Sequence, residues 1–447
     1  MPVEARRTED GIGDRRLERD GWVIRLSPWG TGPSARGGAA VTTGWSYPER
    51  HGGVLVYVRD PDRGVYWTAA LHPGAPLPDE YGAWPDGPVP RFVRRDHDVE
   101  TTLQLVLADG PVELRRVTLT NTGGERRRLQ LTSMVPMALD SPEAYASHPA
   151  FSKLFLQTEY LPELQGLLAR RRPRSPDDPP LSAVHLLVPD GPSGEPTYET
   201  DRARFLGRGR GPGRPRALDP GAPLSGTVGS VLDPVLALRR DVVLGPGEAA
   251  TLTVVVAAGA TPDAARSAVA AVADPAGIRA VFDGAVRGGP GPDRGGQLLA
   301  ALRRDRGGVS GSVAPAAGAA PDAPPDRAAT LPEGSEPLSF FNGFGGFSTD
   351  GDEYVIRLGT GPELDRPPLP WINVIANEEL GFLASECGAG YTWAGNSRLN
   401  RLTPWHNDPV TDPYGEAVWL RDEETGVHWS PTPGPAPGAG PYETRHG

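Results

Sequence analysis

The sequence predicts a mainly β protein of stacked antiparallel sheets, arranged as two tandem units of which the second is cut short. Three observations carry this. Short stretches with an apolar residue at every second position are separated by Gly- and Pro-containing turns. The tryptophans fall into two groups of five, within residues 1–90 and 371–430, with none between. Three anchors also recur in order: Gly32 with Gly390, Trp45 with Trp405, and Arg59 with Arg421, at offsets of 358, 360 and 362. A slowly growing offset is what small loop insertions do to a duplicated domain.

Residues 1–20 are charged and have no apolar centre, which predicts a disordered terminus, neither signal peptide nor membrane anchor. Residues 21–285 form the first unit. "GGVLVYVRD" and "VYWTAAL" are strands on either side of a turn at Pro61–Gly64. "FVRRDHDVETTLQLVLADG" alternates toward Leu103, Leu105 and Leu107. "VELRRVTLTNTGGERRRLQLTSMVPMAL" reads as a hairpin about Gly123-Gly124. Val117 and Leu119 face one way on its first arm, and Leu129, Leu131, Val135 and Met137 keep period two on its second. "LRRDVVLGPGEAATLTVVVAAG" reads as a second hairpin turning at Gly245–Gly247, with Leu252, Val254 and Val256 inward.

A helix closes the unit. Thr261 suits its N-cap, Pro262 its first position and Asp263 its positive end, and the chain breaks near Pro275. Residues 286–336 read as a Pro/Ala/Gly-rich linker with room for a short helix at Gly296–Arg306. Residues 337–447 are the second unit, opening with the strand "EYVIRL" after a turn at Thr349–Asp352. Its pattern reaches only the counterpart of roughly residue 85 of the first, which predicts unpaired edges and an unfinished core.

Composition excludes several roles. With 45 basic and 56 acidic residues the net charge is −11 and the pI about 5.3, the opposite of a nucleic-acid binder. The run "RRRPR" at Arg170–Arg174 lies among Pro and Asp and reads as solvated. A single cysteine, Cys387, allows no intramolecular disulfide and no Cys-based metal site; it suits a small buried position and a reducing compartment. No apolar run approaches the roughly 18 residues a membrane-spanning helix needs, so the expected location is the cytoplasm.

Motifs of known chemistry are missing: no HExxH, no GxSxG, no Walker loop. "GRGRGPGRPR" at Gly207–Arg216 lacks the strand before and helix after that a phosphate cradle requires. Histidines are sparse, so neither a metal centre nor a cofactor is expected. Asp408, Asp412 and Glu416 sit near Trp405 and His406, and two carboxylates could flank a sugar bond. The competing reading makes "HNDPVTDPYGE" a turn whose side chains bond their own backbone.

The aromatics carry more. Tyr391, Trp393, Trp405, Trp419 and Trp429 crowd one short stretch, and large rings hold the apolar face of a sugar while polar groups fix its hydroxyls. Trp419 and Trp429, on strands, read as core. Trp393 and Trp405, in loops, suit core or ligand equally. The candidate substrate-binding set is therefore Trp393, Asn396, Arg398, Trp405 and Asp408, with no catalytic residue.

The stretch "FFNGFGGFSTDGDEYVIRL" followed by "WINVIANEELGFLASECGAGYTWAGNSRLNRLTPWHNDPVTDPYGEAVWLRDEETGVHWSPTP" resembles the N-terminal β-supersandwich domain, a galactose-mutarotase-like fold, of glycoside hydrolase family 94, formerly glycosyltransferase family 36. Upstream, "VELRRVTLTNTG", "HPAFSKLFLQTEY", "YETDRARFLGRGR" and "LSGTVGSVLDPVLALRRDVVLGPGE" resemble the first of two such domains in cyclic β-1,2-glucan synthases. Those enzymes join a membrane-embedded glycosyltransferase, which builds the glucan from UDP-glucose, to a phosphorylase region that adjusts chain length. Their general acid and phosphate-binding residues lie in an (α/α)6 barrel after the supersandwich. Neither module is in this sequence, so no catalytic residue carries over, and the family pattern covers only Asn342 to Trp429. The resemblance implies a non-catalytic, carbohydrate-binding fragment whose partner is a β-glucan or gluco-oligosaccharide. Its alternative is a free-standing module that docks onto a separately encoded catalytic barrel.

Overall fold

The computed structural model describes residues 14–44, 52–175, 178, 180–191, 193–285, 291–307, 336–359, 366–438 and 440–447, with 305–307 as backbone only. Trp45, most of the expected linker and the first 13 residues lie outside this set. The chain divides into two compact units, Met1–Gly207 with Gly211–Ser312, and Arg208–Arg210 with Val313–Gly447.

In the first unit, the strands in chain order begin with β1 (Arg15–Arg19), β2 (Trp22–Leu26), β3 (Ser34–Arg36), β4 (Ala39–Thr42), β5 (Leu55–Asp60) and β6 (Val65–Thr68). A meander follows: β7 (Glu80–Trp84), β8 (Arg91–Asp96), β9 (Val99–Ala108) and β10 (Val112–Asn121). Then come β11 (Arg127–Asp140), β12 (Leu156–Leu161), β13 (Gly166–Arg171), β14 (Ser182–Pro189), β15 (Thr197–Asp201), β16 (Pro234–Leu244) and β17 (Ala249–Gly259). They make two antiparallel sheets. One runs β1-β2-β3-β4-β11-β16-β15, with β5 on β11 and β6 on β5; the other runs β12-β13-β14-β17-β10-β9-β8-β7.

The period-two residues named above meet between these sheets. Leu103, Leu105, Val117, Leu119, Leu129, Leu131, Leu252, Val254 and Val256 are at most 2% exposed and share one core with Trp22, Ile24, Val58, Trp67 and Phe92. The opposite face of the second sheet is capped by α4 (Pro262–Val269) and α5 (Pro275–Ala285), once α1 (Pro142–Ser147), α2 (Pro149–Lys153) and α3 (Arg202–Leu206) have been passed. Thr261 Oγ1 accepts from Ala264 N–H at 3.1 Å, the expected cap. Helix α6 (Gly295–Gly307) inserts Leu298, Leu299 and Leu302 into the core between the sheets, so residues 291–307 pack with the first unit.

Several expectations need correcting. Arg15–Arg19 is not disordered: it pairs with β2 along its whole length, as a charged edge strand with Arg16 on Glu18 and Arg19 on Asp109. The two Gly turns do not close hairpins. β10 pairs with β9 and β17, while β11 pairs with β4, β5 and β16, so Gly123-Gly124 carries the chain from one sheet to the other. Gly245–Gly247 does the same between β16 and β17. The two corners lie side by side, tied by Asn121, whose Nδ2 donates to the carbonyls of Glu125 (2.7 Å) and Gly245 (3.0 Å).

His185 on β14 spans the core. Its Nε2 lies 2.7 Å from Ser133 Oγ of the facing sheet and its Nδ1 3.1 Å from the Val255 carbonyl, so Nδ1–H donates to that carbonyl and Nε2 accepts from the hydroxyl. Burial pushes its pKa down to about 4. The unfolded chain binds this proton below pH ~6.5 and the folded one does not. Stability should therefore fall as pH drops from ~6.5 to ~4, by roughly 3 kcal/mol in all. Denaturant midpoints across this range should show the slope, and His185→Gln should flatten it.

The second unit contains β18 (Gly345–Phe347), β19 (Tyr354–Leu358), β20 (Ile372–Ala376), β21 (Leu380–Ser385), β22 (Gly390–Ala394), β23 (Leu420–Arg421), β24 (His428–Trp429) and β25 (Tyr442–His446). These form the sheets β18-β19-β25 and β20-β21-β22 and the ribbon β23-β24. Its β20-β21-β22 sheet and β23-β24 ribbon repeat strand pairings of the first unit in register. Trp22↔Arg36 and Ile24↔Ser34 recur as Leu380↔Ala394 and Phe382↔Thr392, each 358 residues on. Val58↔Trp67 and Arg59↔Tyr66 recur as Leu420↔Trp429 and Arg421↔His428, 362 residues on.

Smaller details recur too. Ser34 N–H donates to Thr42 Oγ1 at 2.8 Å, and Thr392 N–H to Thr403 Oγ1 at 2.9 Å. A Cβ on Gly32 would meet the Arg25 carbonyl at 2.0 Å, and one on Gly390 the Leu383 carbonyl at 2.1 Å, so both sites require glycine.

Candidate functional site

Strand β22 and the loop after it gather the candidate residues. The register Gly381↔Trp393 lays the Trp393 ring over Gly381, where a Cβ would come within 2.3 Å of it. Trp393 is thus a strand residue, not a loop residue, and is only 9% exposed. Tyr391 stacks on half-buried Trp405 at 5.0 Å and leans on Trp393 at 5.2 Å. The Arg401 guanidinium stands 5.6 Å from the centre of the Tyr391 ring. Trp419, expected in a core, is 53% exposed.

The polar residues sort by what they already bind. Asn396 Oδ1 accepts from the backbone N–H of Arg398 (3.0 Å) and Leu399 (2.9 Å), closing a turn that holds exposed Arg398 and whose Ser397 carbonyl accepts from the Tyr391 hydroxyl at 3.2 Å. Asp408 Oδ1 accepts from Val410 N–H (3.0 Å) and Thr411 N–H (3.2 Å), and its Oδ2 from Thr411 Oγ1. This is the self-bonded turn that "HNDPVTDPYGE" suggested. Glu416 Oε1 accepts from the hydroxyls of Thr392 and Thr403.

Asp412 does not pair with Asp408. It is 3% exposed, and the Arg208 guanidinium reaches its Oδ2 at 2.8 Å and Glu386 Oε1 at 2.9 Å. Burial raises the Asp412 carboxyl against the opposing pull of Arg208. Each carboxylate near Trp405 is thus held by protein donors.

Sequence reasoning missed the ion cluster altogether, because Arg208 and Glu386 are 178 residues apart and no spacing links them. Glu386, Cys387 and Asp412 also place three ligand atoms within 4.8 Å of one another, a grouping not expected for a lone cysteine. The Arg208 cation already meets their charge. Burial pushes the Cys387 thiol up to about 12, so it stays protonated and donates to Glu386 Oε1 at 3.4 Å. A second aromatic group, Tyr354 stacked on Trp371 at 4.3 Å, was likewise not singled out.

No helix among the described residues is long and apolar enough to cross a membrane. The cyclic beta-(1,2)-glucan synthase NdvB of Rhizobium meliloti (strain 1021) is 27% identical over 610 aligned residues, which cover 99% of this chain and 21% of that protein. The N,N'-diacetylchitobiose phosphorylase of Vibrio furnissii is 34% identical over 107 residues, 23% of this chain and 13% of that protein. The solabiose phosphorylase of Paenibacillus borealis is 27% identical over 207 residues, 45% of this chain and 25% of that protein. The chain thus spans a quarter or less of the length of each of these relatives. The sequence pattern of the glycosyl hydrolase 94 supersandwich domain matches residues 26–275 and again 352–447. With two stacked antiparallel sheets in the first unit and the same opening strands in the second, the chain belongs to the glycosyl hydrolase 94 supersandwich family.

Proposed function

We propose that this chain is a carbohydrate-binding, non-catalytic supersandwich portion acting in β-glucan synthesis or chain-length control. Its ligand is a gluco-oligosaccharide held against the Tyr391–Trp405 ring pair. The observation that carries the reading is that pair: a half-buried indole stacked on a tyrosine whose hydroxyl donates to Ser397, in the Asn396 turn that also holds exposed Arg398. A sugar ring offers one apolar face to such a surface and its hydroxyls to guanidinium and amide groups. Asp408 acts by shaping the loop through its own backbone bonds. Trp393, pressed onto Gly381, supports the pair from below.

The relative aligned over 99% of this chain, named a cyclic beta-(1,2)-glucan synthase, supports a β-glucan as the ligand. Titration with β-1,2-linked gluco-oligosaccharides at millimolar concentration should change the tryptophan fluorescence. Trp405→Ala should weaken binding about tenfold, the ~1.4 kcal/mol expected of one stacked ring. An unchanged spectrum throughout the titration would overturn the reading.

A further inference from the structure

An exposed apolar cluster stands on the first unit around α2. Phe151 and Leu154 are 52% and 47% exposed, and Leu232 is 64% exposed. Two sets of bonds bring them together. Residues 229–233 run antiparallel to residues 153–158. Thr158 N–H donates to the Gly229 carbonyl at 2.9 Å, Gln157 Nε2 donates to Ser230 Oγ at 3.2 Å, and Lys153 Nζ meets Asp233 Oδ1 at 2.9 Å. This register sets Leu232 alongside Leu154. On the other flank Phe151 packs edge-on against Phe155 at 5.2 Å, and Arg172 N–H donates to the Phe155 carbonyl at 2.8 Å.

Cations ring the same spot. The guanidinium carbons of Arg172 and Arg174 stand 5.7 and 5.8 Å from the centre of the Phe155 ring. Lys153 and Arg202 meet Asp233, Arg171 meets Asp140, and Arg174 meets Asp178. Among the described residues no carboxylate pairs with exposed Arg172. Positive charge is therefore in excess beside bare Phe and Leu, on a chain whose net charge is −11.

We propose that this cluster is a peripheral contact with an anionic lipid surface. Phe151, Leu154 and Leu232 enter the boundary between headgroups and acyl chains, and Arg172 and Arg174 meet the lipid phosphates. Apolar tips beside arginines, whose stems tolerate an apolar setting while the guanidinium stays at the polar layer, suit a bilayer interface without spanning it. A sugar is the poorer fit, because the two leucines offer it no flat ring to lie on. Three large apolar side chains together at this exposure mark a contact surface rather than scattered surface residues.

The test uses the intact chain and phosphatidylcholine vesicles with and without phosphatidylglycerol. The chain should float with the phosphatidylglycerol vesicles at low salt, and the bound fraction should fall as salt rises. Phe151→Ser/Leu154→Ser, altered only at exposed positions, should weaken the partition about tenfold or more, and Arg172→Glu about tenfold. A polarity-sensitive fluorophore on Leu154→Cys should shift to shorter wavelength with the same vesicles, while buried Cys387 stays unlabelled. Equal flotation of the parent and the double variant would overturn the proposal, as would flotation without the fluorophore shift. So would no flotation at all, or equal flotation with phosphatidylcholine alone. A shift that grows with protein concentration in the absence of vesicles would assign the cluster to a protein contact, and overturn it too.

Discussion

Asp60→Ala should destabilise the first unit by about 3–5 kcal/mol, whereas Asp422→Ala, at the same point of the repeated hairpin, should leave the second unit almost unchanged. Both aspartates close the same turn. Asp60 Oδ1 accepts from Asp62 N–H and Arg63 N–H, both at 3.0 Å; Asp422 Oδ1 accepts from Glu424 N–H at 2.8 Å and Thr425 N–H at 3.4 Å. The difference lies in what stands behind them. Asp60 is 1% exposed and its Oδ2 takes the Nε–H of buried Arg127 at 2.8 Å, while Arg127 Nη1 donates to the His97 carbonyl. Removing the carboxylate leaves a buried guanidinium without its counter-charge. Asp422 is only half-buried, and its remaining carboxylate bond is to the neighbouring Thr425 hydroxyl, with no buried cation behind it among the described residues. Calorimetry should show the contrast as a fall of roughly 10 °C in the first-unit transition for Asp60→Ala. Equal shifts for the two variants would mean that the turn alone, rather than the ion pair behind it, sets the cost.

Arg208→Ala should be the most damaging change in the second unit, by a similar ~3–5 kcal/mol near neutral pH. The guanidinium is 10% exposed and bridges two carboxylates that are 0% and 3% exposed. Glu386 Oε2 also accepts from Trp371 N–H at 2.8 Å, and Ser385 Oγ donates to Asp412, so losing Arg208 strands a cluster that positions three segments. The pH dependence follows from Asp412. Burial already raises its pKa, and without the cation it rises further above that of the unfolded chain. The folded variant then binds a proton that the unfolded chain releases. The stability of the variant should fall as pH rises through that range, and the penalty relative to the parent should shrink toward pH 5. A penalty independent of pH would point to lost packing rather than stranded charge.

Strand positions were largely legible in the sequence, but sheet membership was not. Val117 and Leu119 on one side of Gly123-Gly124, and Leu129 and Leu131 on the other, face the same core whether the arms lie side by side or in opposite layers. Period two reports which face is apolar and nothing about the neighbour, so a corner between sheets looks like a hairpin. The repeat was legible because its anchors are positions that backbone geometry restricts. Gly32 and Gly390 leave no room for a Cβ, and Arg59 and Arg421 hold the same place in the same ribbon.

The candidate site was legible only in part. The Asp408 turn follows from a side chain that bonds its own backbone, a local property; Asn396, read as a sugar contact, closes a turn in the same way. The burial of Trp393 depends on Gly381 across the strand, and the exposure of Trp419 on the lack, among the described residues, of a layer over it; both are tertiary facts. The Arg208 cluster depends on chain segments far apart in sequence and left no local trace.

The central claim is that one strand arrangement is built twice, once covered by a second sheet and once, among the described residues, without one. Residue-resolved amide exchange of the intact chain tests it most directly, by comparing Val58 and Arg59 with Leu420 and Arg421. The first pair should exchange only with global unfolding of its unit, and the second orders of magnitude faster, by local opening. Equal protection at the two ribbons would contradict the account, because it would require a layer over Leu420 that the described residues do not supply.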